Sequence, residues 1–356
     1  MKGFRIVERK KLPDLSIFTN ELPLSLASSQ LITRTKIEVQ DILSGRNNRI
    51  LAIVGPCSAW PFGASLRYAC LLKELSDAVS DVIRIVMRVY IQKPRTTKGW
   101  TGPVNQPNPF LPPDIEAGIR YSRELMLNIL DIGLPIADEA LFTHNAEGFI
   151  ELLSWVAIGA RSAEDQEHRI FASAIDCPVG MKNPTSGSLK IGVNSVIAAQ
   201  YSHTAVIDGH QVETLGNPYA HLVLRGGSAR SNYDPDSLRE AMHLLLKEKV
   251  KNPAILIDVS HDNSRLKIGG VKDPKLQIGI VRNVMQTLLD NPDLRKCVKG
   301  FMVESFIKTG SQNIDVCTPD TIDMEGLSIT DPCLGFEESK ELVLETADFL
   351  RKRMLP

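Results

Sequence analysis

Eight short apolar runs, each closing on a residue with charged or reactive chemistry, constrain the fold of this chain more than any other feature. They occupy residues 49–57 (RILAIVGPC), 82–90 (VIRIVMRVY), 134–139 (LPIADE), 155–161 (WVAIGAR), 178–182 (PVGMK), 221–225 (HLVLR), 254–261 (AILIDVSH) and 300–304 (GFMVE). Continuous Val/Ile/Leu runs of this length suit strands buried on both faces, as in a parallel sheet covered by helices. Eight of them, separated by helical patterns, predict an α/β fold, a (β/α)8 TIM barrel. The active site of such a barrel lies at the carboxyl ends of its strands. Cys57, Arg88, Glu139, Arg161, Lys182, Arg225, His261 and Glu304 fall at those ends, so one pocket would collect them.

Apolar positions recurring at three and four predict helices over 65–80, 114–130, 145–153, 163–175, 189–200, 236–249, 273–289 and 337–354. Residues 49–356 are thus read as the barrel. Residues 1–48, with a further helical stretch at 26–43, are read as an N-terminal extension that covers the barrel bottom or meets another subunit. The segment 93–113 is rich in Pro, Gly and Asn, lacks periodicity and follows the second strand, which predicts a long functional loop over the mouth.

A net charge of −1 with 43% hydrophobic residues argues against a nucleic-acid footprint and against disorder. No apolar run approaches a membrane span, and the first residues lack the apolar core of a signal peptide, so the expectation is a cytoplasmic protein. Six scattered cysteines then read as reduced thiols, with Cys70, Cys177 and Cys297 as packing residues.

Two sets of residues carry the chemistry. The first is cationic: Arg88, Lys93, Arg95, Lys98, Arg161, Lys182 and Arg225. Like charges converging on one pocket are unfavourable unless an anion occupies it, and guanidinium groups match phosphate or carboxylate bidentately. A substrate with several negative charges is expected, although each residue taken alone also reads as a solvated surface cation. Gly226 and Gly227 would let backbone N–H groups approach a phosphate.

The second set is Cys57, His261 and Glu304, with Asp331 beyond the last strand. A thiolate, an imidazole and two carboxylates suit one divalent ion of the Mn, Fe, Co or Zn class, while the plain alternative for Cys57 is a small buried hydrophobe. Glu139 is a candidate for orienting a water or a proton. His203, His210 and His221 surround a polar stretch whose role composition leaves open. Neither GxSxG, GxGxxG nor a P-loop occurs.

At GPCS (55–58), MRVYIQKPRTTKGW (87–100), SWVAIGARSAEDQEHR (154–169), PVGMKN (178–183), HLVLRGG (221–227), DVSHDNS (258–264) and MVES (302–305), the chain closely resembles type I 3-deoxy-D-arabino-heptulosonate-7-phosphate (DAHP) synthases. The resemblance runs from about residue 40 to the last helix. It implies condensation of phosphoenolpyruvate with erythrose 4-phosphate, releasing phosphate, as the first step of the shikimate pathway for aromatic amino acids. It further implies that Cys57, His261, Glu304 and Asp331 hold the metal and that Arg88, Lys93, Arg161, Lys182 and Arg225 bind phosphoenolpyruvate. Arg95 and Thr96 would take the phosphate of the aldose, Lys93 would protonate the forming alkoxide, and water near Glu139 would add at C2. The catalytic set implied is Lys93, Glu139 and His261, in a homo-oligomer, dimer or tetramer.

The sequence also departs from that family. Ala59, Trp60 and Pro61 follow GPCS in place of Ile-His-Asp, and Asp138, Glu139 and Ala140 stand for Gly-Glu-Phe. The stretch between His203 and Gly216, a longer hairpin in feedback-regulated relatives, is short. Weak or absent feedback inhibition is the expectation. Two other readings stay open: a phosphoenolpyruvate condensation with a different aldose or imine, and a non-catalytic phosphometabolite sensor, which the retained metal set disfavours. Cys333, two residues past Asp331, is expected to approach Cys57 and to crosslink with it on oxidation of metal-free protein.

Overall fold

Strand β1 (Ile50–Gly55) turns Leu51 and Ile53 into a barrel interior and Ala52 and Val54 outward against helices. Both faces of the strand are therefore apolar, which is why the run is continuous rather than alternating. The same alternation holds in β2 (Ile83–Arg88), β3 (Ile136–Ala140), β4 (Leu153–Ile158) and β5 (Val179–Lys182). After an antiparallel ribbon of β6 (Thr204–Ile207) and β7 (His210–Glu213), it resumes in β8 (His221–Leu224), β9 (Ile255–Asp258) and β10 (Val298–Glu304). Eight of these strands close a parallel barrel in the order β1-β10-β9-β8-β5-β4-β3-β2, the expected (β/α)8 architecture. The computed structural model describes residues 3, 5–8, 10–95, 98–141, 147–207, 209–266 and 270–353.

Helices α3 (Phe62–Ala78), α4 (Ile115–Asp131), α6 (Gln166–Ala174), α7 (Leu189–Gln200), α8 (Pro235–Lys247), α9 (Leu276–Asp290) and α10 (Phe336–Arg353) cover the outside. Their starts follow capping chemistry. Asp114 accepts from Ala117 N–H, and Asp234 accepts from Ser237 N–H with Pro235 in the first turn. Ahead of the barrel lie α1 (Leu15–Glu21) and α2 (Leu26–Ser44), the latter capped by Ser25 and ended by Gly45 at φ 79°. Val39, Ile42 and Leu43 of α2 join Leu51, Ile53, Trp155 and Leu256 in the interior cluster, so α2 seals the amino-terminal end of the barrel.

Several boundaries differ from the sequence expectation. The helix expected over 145–153 is a single turn, α5 (Glu147–Ile150), because β4 already begins at Leu153; residues 142–146 lie outside the described residues. Helix α1 spans only seven residues, too few for a helical period to show, and the β6–β7 ribbon is the short hairpin between His203 and Gly216. Cys70, expected to pack, is exposed on α3, whereas Cys177 and Cys297 are buried. Trp155 fills the interior only because residue 180 is glycine, where a Cβ would stand 2.2 Å from the indole. Its Nε1–H donates to His221 Nε2 at 3.2 Å, and burial pushes the His221 pKa down to about 4, keeping that acceptor neutral. His221 is thus a core residue. Among the described residues no helix is long and apolar enough to cross a membrane.

Candidate active site

The two-residue strand period carries past the apolar part of each strand and sets the site. Inward-facing Val86, Ala137, Gly180, Val223, Leu256 and Met302 are followed two residues later by Arg88, Glu139, Lys182, Arg225, Asp258 and Glu304. All six of the latter are buried at the carboxyl ends of their strands. Above them opens a cavity of about 660 Å³, lined among others by Cys57, Lys93, Glu139, Lys182, Arg225 and His261. Arg95 and Arg161 stand exposed at its rim, while Asp331 and Lys272 complete one wall.

Charges in this low-dielectric space are paired. Lys182 Nζ lies 3.2 Å from Glu139 Oε2 and 3.5 Å from Asp258 Oδ2. Arg88, fully enclosed beneath the cavity, points Nη2 at Glu304 Oε1 at 2.9 Å, while its Nη1 has no hydrogen-bond partner among the described residues. Lys93 Nζ donates to the Cys57 carbonyl at 2.8 Å and lies 3.1 Å from Cys57 Sγ. Burial opposes the Lys93 charge, yet Cys57, Glu304 and Glu139 raise its pKa above the usual lysine value. Burial likewise opposes ionisation of Glu139, but Lys182 and Lys93 outweigh it and hold the carboxyl below its usual range. The site therefore offers a charged ammonium and an ionised carboxylate. A Cβ on Gly159 would lie 2.6 Å from Glu139 Oε1, so the glycine of IGAR leaves room for that carboxylate.

Cys57, Glu304 and Asp331 bring ligand atoms within 4.8 Å of one another. Glu304 Oε2 is buried without a hydrogen-bond partner among the described residues, the condition of a carboxylate oxygen awaiting a cation. His261 stands outside this trio, with Nε2 3.7 Å from Glu304 Oε1 and Nδ1 2.8 Å from Asp258 Oδ2. Its backbone is left-handed at φ 53°, an uncommon conformation for a residue other than glycine. Burial lowers the His261 pKa despite Asp258 and Glu304, which favours the neutral imidazole that metals need. A thiolate, an imidazole nitrogen and carboxylate oxygens match a borderline divalent ion. Asp331 is ion-paired with Lys272, and Cys57 N–H donates to Cys333 Sγ at 3.4 Å.

The sequence model of the DAHP synthetase I family matches residues 30–344. The chain belongs to this family. Among curated proteins it is 37% identical over 328 residues to the Tyr-sensitive phospho-2-dehydro-3-deoxyheptonate aldolase of Escherichia coli K12, covering 91% of this chain and 88% of that protein. It is 33% identical over 358 residues to the phospho-2-dehydro-3-deoxyheptonate aldolase of Corynebacterium glutamicum, covering 98% and 94%. The solved structure of the Francisella tularensis SCHU S4 protein of the same name superimposes with a TM-score of 0.91 at 32% identity, covering 99% of this chain and all of that one, 100%.

Within this family frame the structure gathers Cys57, Lys93, Glu139, Lys182, Arg225, His261, Glu304 and Asp331 in one place, with Arg88 below and Arg95 and Arg161 at the rim. Thr96 lies outside the described residues. The proposed phosphate-binding glycines do not offer their N–H groups: Gly226 N–H donates to Asn232 Oδ1 at 2.8 Å and Gly227 N–H to the Arg230 carbonyl at 2.9 Å. Gly226 serves packing instead, because a Cβ there would meet Asn263 N at 2.6 Å. Sequence reading passed over Asp258, although its place two residues after inward-facing Leu256 is a usable signal. It also passed over Asp262, which pairs with Arg225 and, three residues on, with Arg265, and Lys272, which pairs with Asp331; the Arg225 and Asp331 contacts join distant segments and leave no local pattern.

Proposed function

We propose that this chain condenses phosphoenolpyruvate with erythrose 4-phosphate to give DAHP and inorganic phosphate, the first step of aromatic amino acid biosynthesis. The observation that carries this reading is the convergence of buried Arg88, Lys93, Lys182 and Arg225 beside the Cys57, Glu304 and Asp331 cluster on one barrel mouth. Family membership and the names of the relatives support it. Arg88, Lys93, Arg161, Lys182 and Arg225 receive the carboxylate and phosphate of phosphoenolpyruvate, and Arg95 with Thr96 receives the aldose phosphate. Cys57, His261, Glu304 and Asp331 hold one divalent ion of the Mn, Fe, Co or Zn class. Such an ion supplies Lewis acidity toward a carbonyl oxygen.

Holding two anions on one set of cations removes much of the entropic cost of their encounter. The C2=C3 π pair of phosphoenolpyruvate forms the bond from C3 to the aldehyde carbon, which leaves C2 electron-deficient, and the carbonyl π pair becomes an alkoxide. Lys93, kept charged by its neighbours, gives that oxygen a proton. Glu139, kept ionised by Lys182 and Lys93, takes a proton from the water that adds at C2. Collapse of this adduct breaks the C–O bond and releases phosphate.

Residues 1–48 serve as a cover of the barrel or as a subunit contact, and residues 49–356 as the catalytic barrel. The protein acts in the cytoplasm as a homo-oligomer, dimer or tetramer. Exposed Leu26 and Ile37 on α2 and Val206 on the ribbon supply apolar surface for such contacts.

A phosphate-release assay with phosphoenolpyruvate and a panel of aldoses, with and without EDTA, tests the reading. Fast turnover with erythrose 4-phosphate that EDTA abolishes is expected. Turnover that survives exhaustive chelation overturns the metal assignment, and turnover confined to another acceptor overturns the substrate.

A further inference from the structure

Three cations of the site surround one aromatic ring. Arg88 Cζ lies 4.0 Å from the centroid of the Tyr90 ring, Lys93 Nζ 5.6 Å and Lys182 Nζ 5.7 Å. All three are inside the roughly 6 Å over which a ring face attracts a cation. Tyr90 itself is 1% exposed, belongs to the interior cluster and does not line the cavity. Its carbonyl accepts the Ala59 N–H at 3.0 Å, and its hydroxyl lies 3.9 Å from Met302 Sδ. Both ends of the residue are tied down, so the ring is a fixed platform.

Gathering three positive charges in a buried space is unfavourable before an anion arrives. Glu304 relieves Arg88, and Glu139 with Asp258 relieves Lys182. Yet every further carboxylate would set a negative charge opposite the incoming polyanion. A ring face attracts cations through its quadrupole and adds no net charge. It is also a partner that neither a metal ion nor an anionic substrate competes for.

We propose that Tyr90 is a positioning residue whose π face keeps Arg88, Lys93 and Lys182 gathered in the anion-free site, where the charged groups of phosphoenolpyruvate are received. This rests on the assignment of those cations to phosphoenolpyruvate made above. Pre-gathered cations need no rearrangement on binding, so loss of the ring's electron density weakens anion affinity.

The test replaces Tyr90 by phenylalanine and then by mono-, di- and trifluorinated phenylalanines, which drain the ring face with little change of shape. Phosphoenolpyruvate affinity is read by calorimetry, with kcat and melting temperature measured in parallel. Tyr90→Phe is expected to bind like the unsubstituted protein. Across the fluorinated series the dissociation constant should rise stepwise, by about tenfold in all, with melting temperature nearly constant. A flat series reduces Tyr90 to a packing residue and overturns the proposal. Loss of binding in Tyr90→Phe alone also overturns it, because the hydroxyl rather than the ring face would then act. Failure of the functional reading looks different: the unsubstituted protein would neither bind phosphoenolpyruvate nor release phosphate from it.

Discussion

Asp258 Oδ2 lies 2.8 Å from His261 Nδ1, a nitrogen that the Ser260 hydroxyl also meets at 2.8 Å, while Nε2 of the same ring lies 3.7 Å from Glu304 Oε1. A carboxylate behind an imidazole fixes its tautomer and orientation for metal binding. Asp258→Asn keeps the volume and removes the charge. Metal affinity, measured by competition with a chelator, should fall by roughly 10- to 100-fold. An unchanged affinity would leave Asp258 to its pairing with Lys182 and the hydrogen bonds it accepts from Ser260.

Glu139 faces a different demand, since it must remain ionised while buried. Glu139→Gln leaves Lys182 paired with Asp258 but removes the proton acceptor, so kcat should drop by about 10²- to 10⁴-fold, with a smaller change in KM. Gly159→Ala reaches the same carboxylate by crowding, its new Cβ lying 2.6 Å from Oε1. It should lower kcat while the melting temperature stays near that of the unsubstituted protein. Normal kcat in both variants would remove Glu139 from the proton-transfer step.

Asp138, one residue earlier and of outward parity, carries a pH dependence of stability. Burial, helped by the charge of Glu139, raises its pKa from 3.8 to about 8, against the hydrogen bonds it accepts from Glu139 and Ile91 N–H. Between those values the folded protein keeps a proton that the unfolded chain releases. Folded stability therefore declines as pH rises from 3.8 to about 8 and levels off above it. Asp138→Asn mimics the protonated acid and lacks this slope. Its stability relative to the unsubstituted protein should grow across that window by up to roughly 1.4 kcal/mol per pH unit. Parallel melting curves for the two proteins at all pH values would contradict this.

The barrel was legible because each strand run is apolar on both parities and ends on charge, as in Val86 to Arg88 and Met302 to Glu304. Helix starts were legible where a cap stands in the sequence, as at Asp114. What escaped notice depends on chain segments meeting in space. Asp262 reaches Arg225 across loops, and Lys272 reaches Asp331. The enclosure of Arg88 beneath the cavity, rather than in its wall, has no local signature. Cys57 and Cys333 were expected to meet, and the 3.4 Å contact between Cys57 N and Cys333 Sγ brings the two residues together.

The last prediction concerns regulation. Relatives of this chain carry names that mark them as Tyr-, Trp- or Phe-sensitive. In this chain the segment after Glu139 reads Ala140, Leu141, Phe142 and Thr143, without a carboxylate for an effector's ammonium group. Leu141 is already committed: its N–H donates to Gln92 Oε1 at 3.3 Å, and its carbonyl meets His168 Nε2 at 2.9 Å. The β6–β7 ribbon has strands of only four residues each. Burying an ammonium without a charged partner costs several kcal/mol, on the order of 10²- to 10³-fold in affinity. Phenylalanine, tyrosine and tryptophan titrated into the phosphate-release assay at subsaturating substrate should therefore inhibit weakly. Potent inhibition by any of them at micromolar concentration would mean that an acidic partner is supplied from elsewhere, such as residues 1–48 of a second subunit.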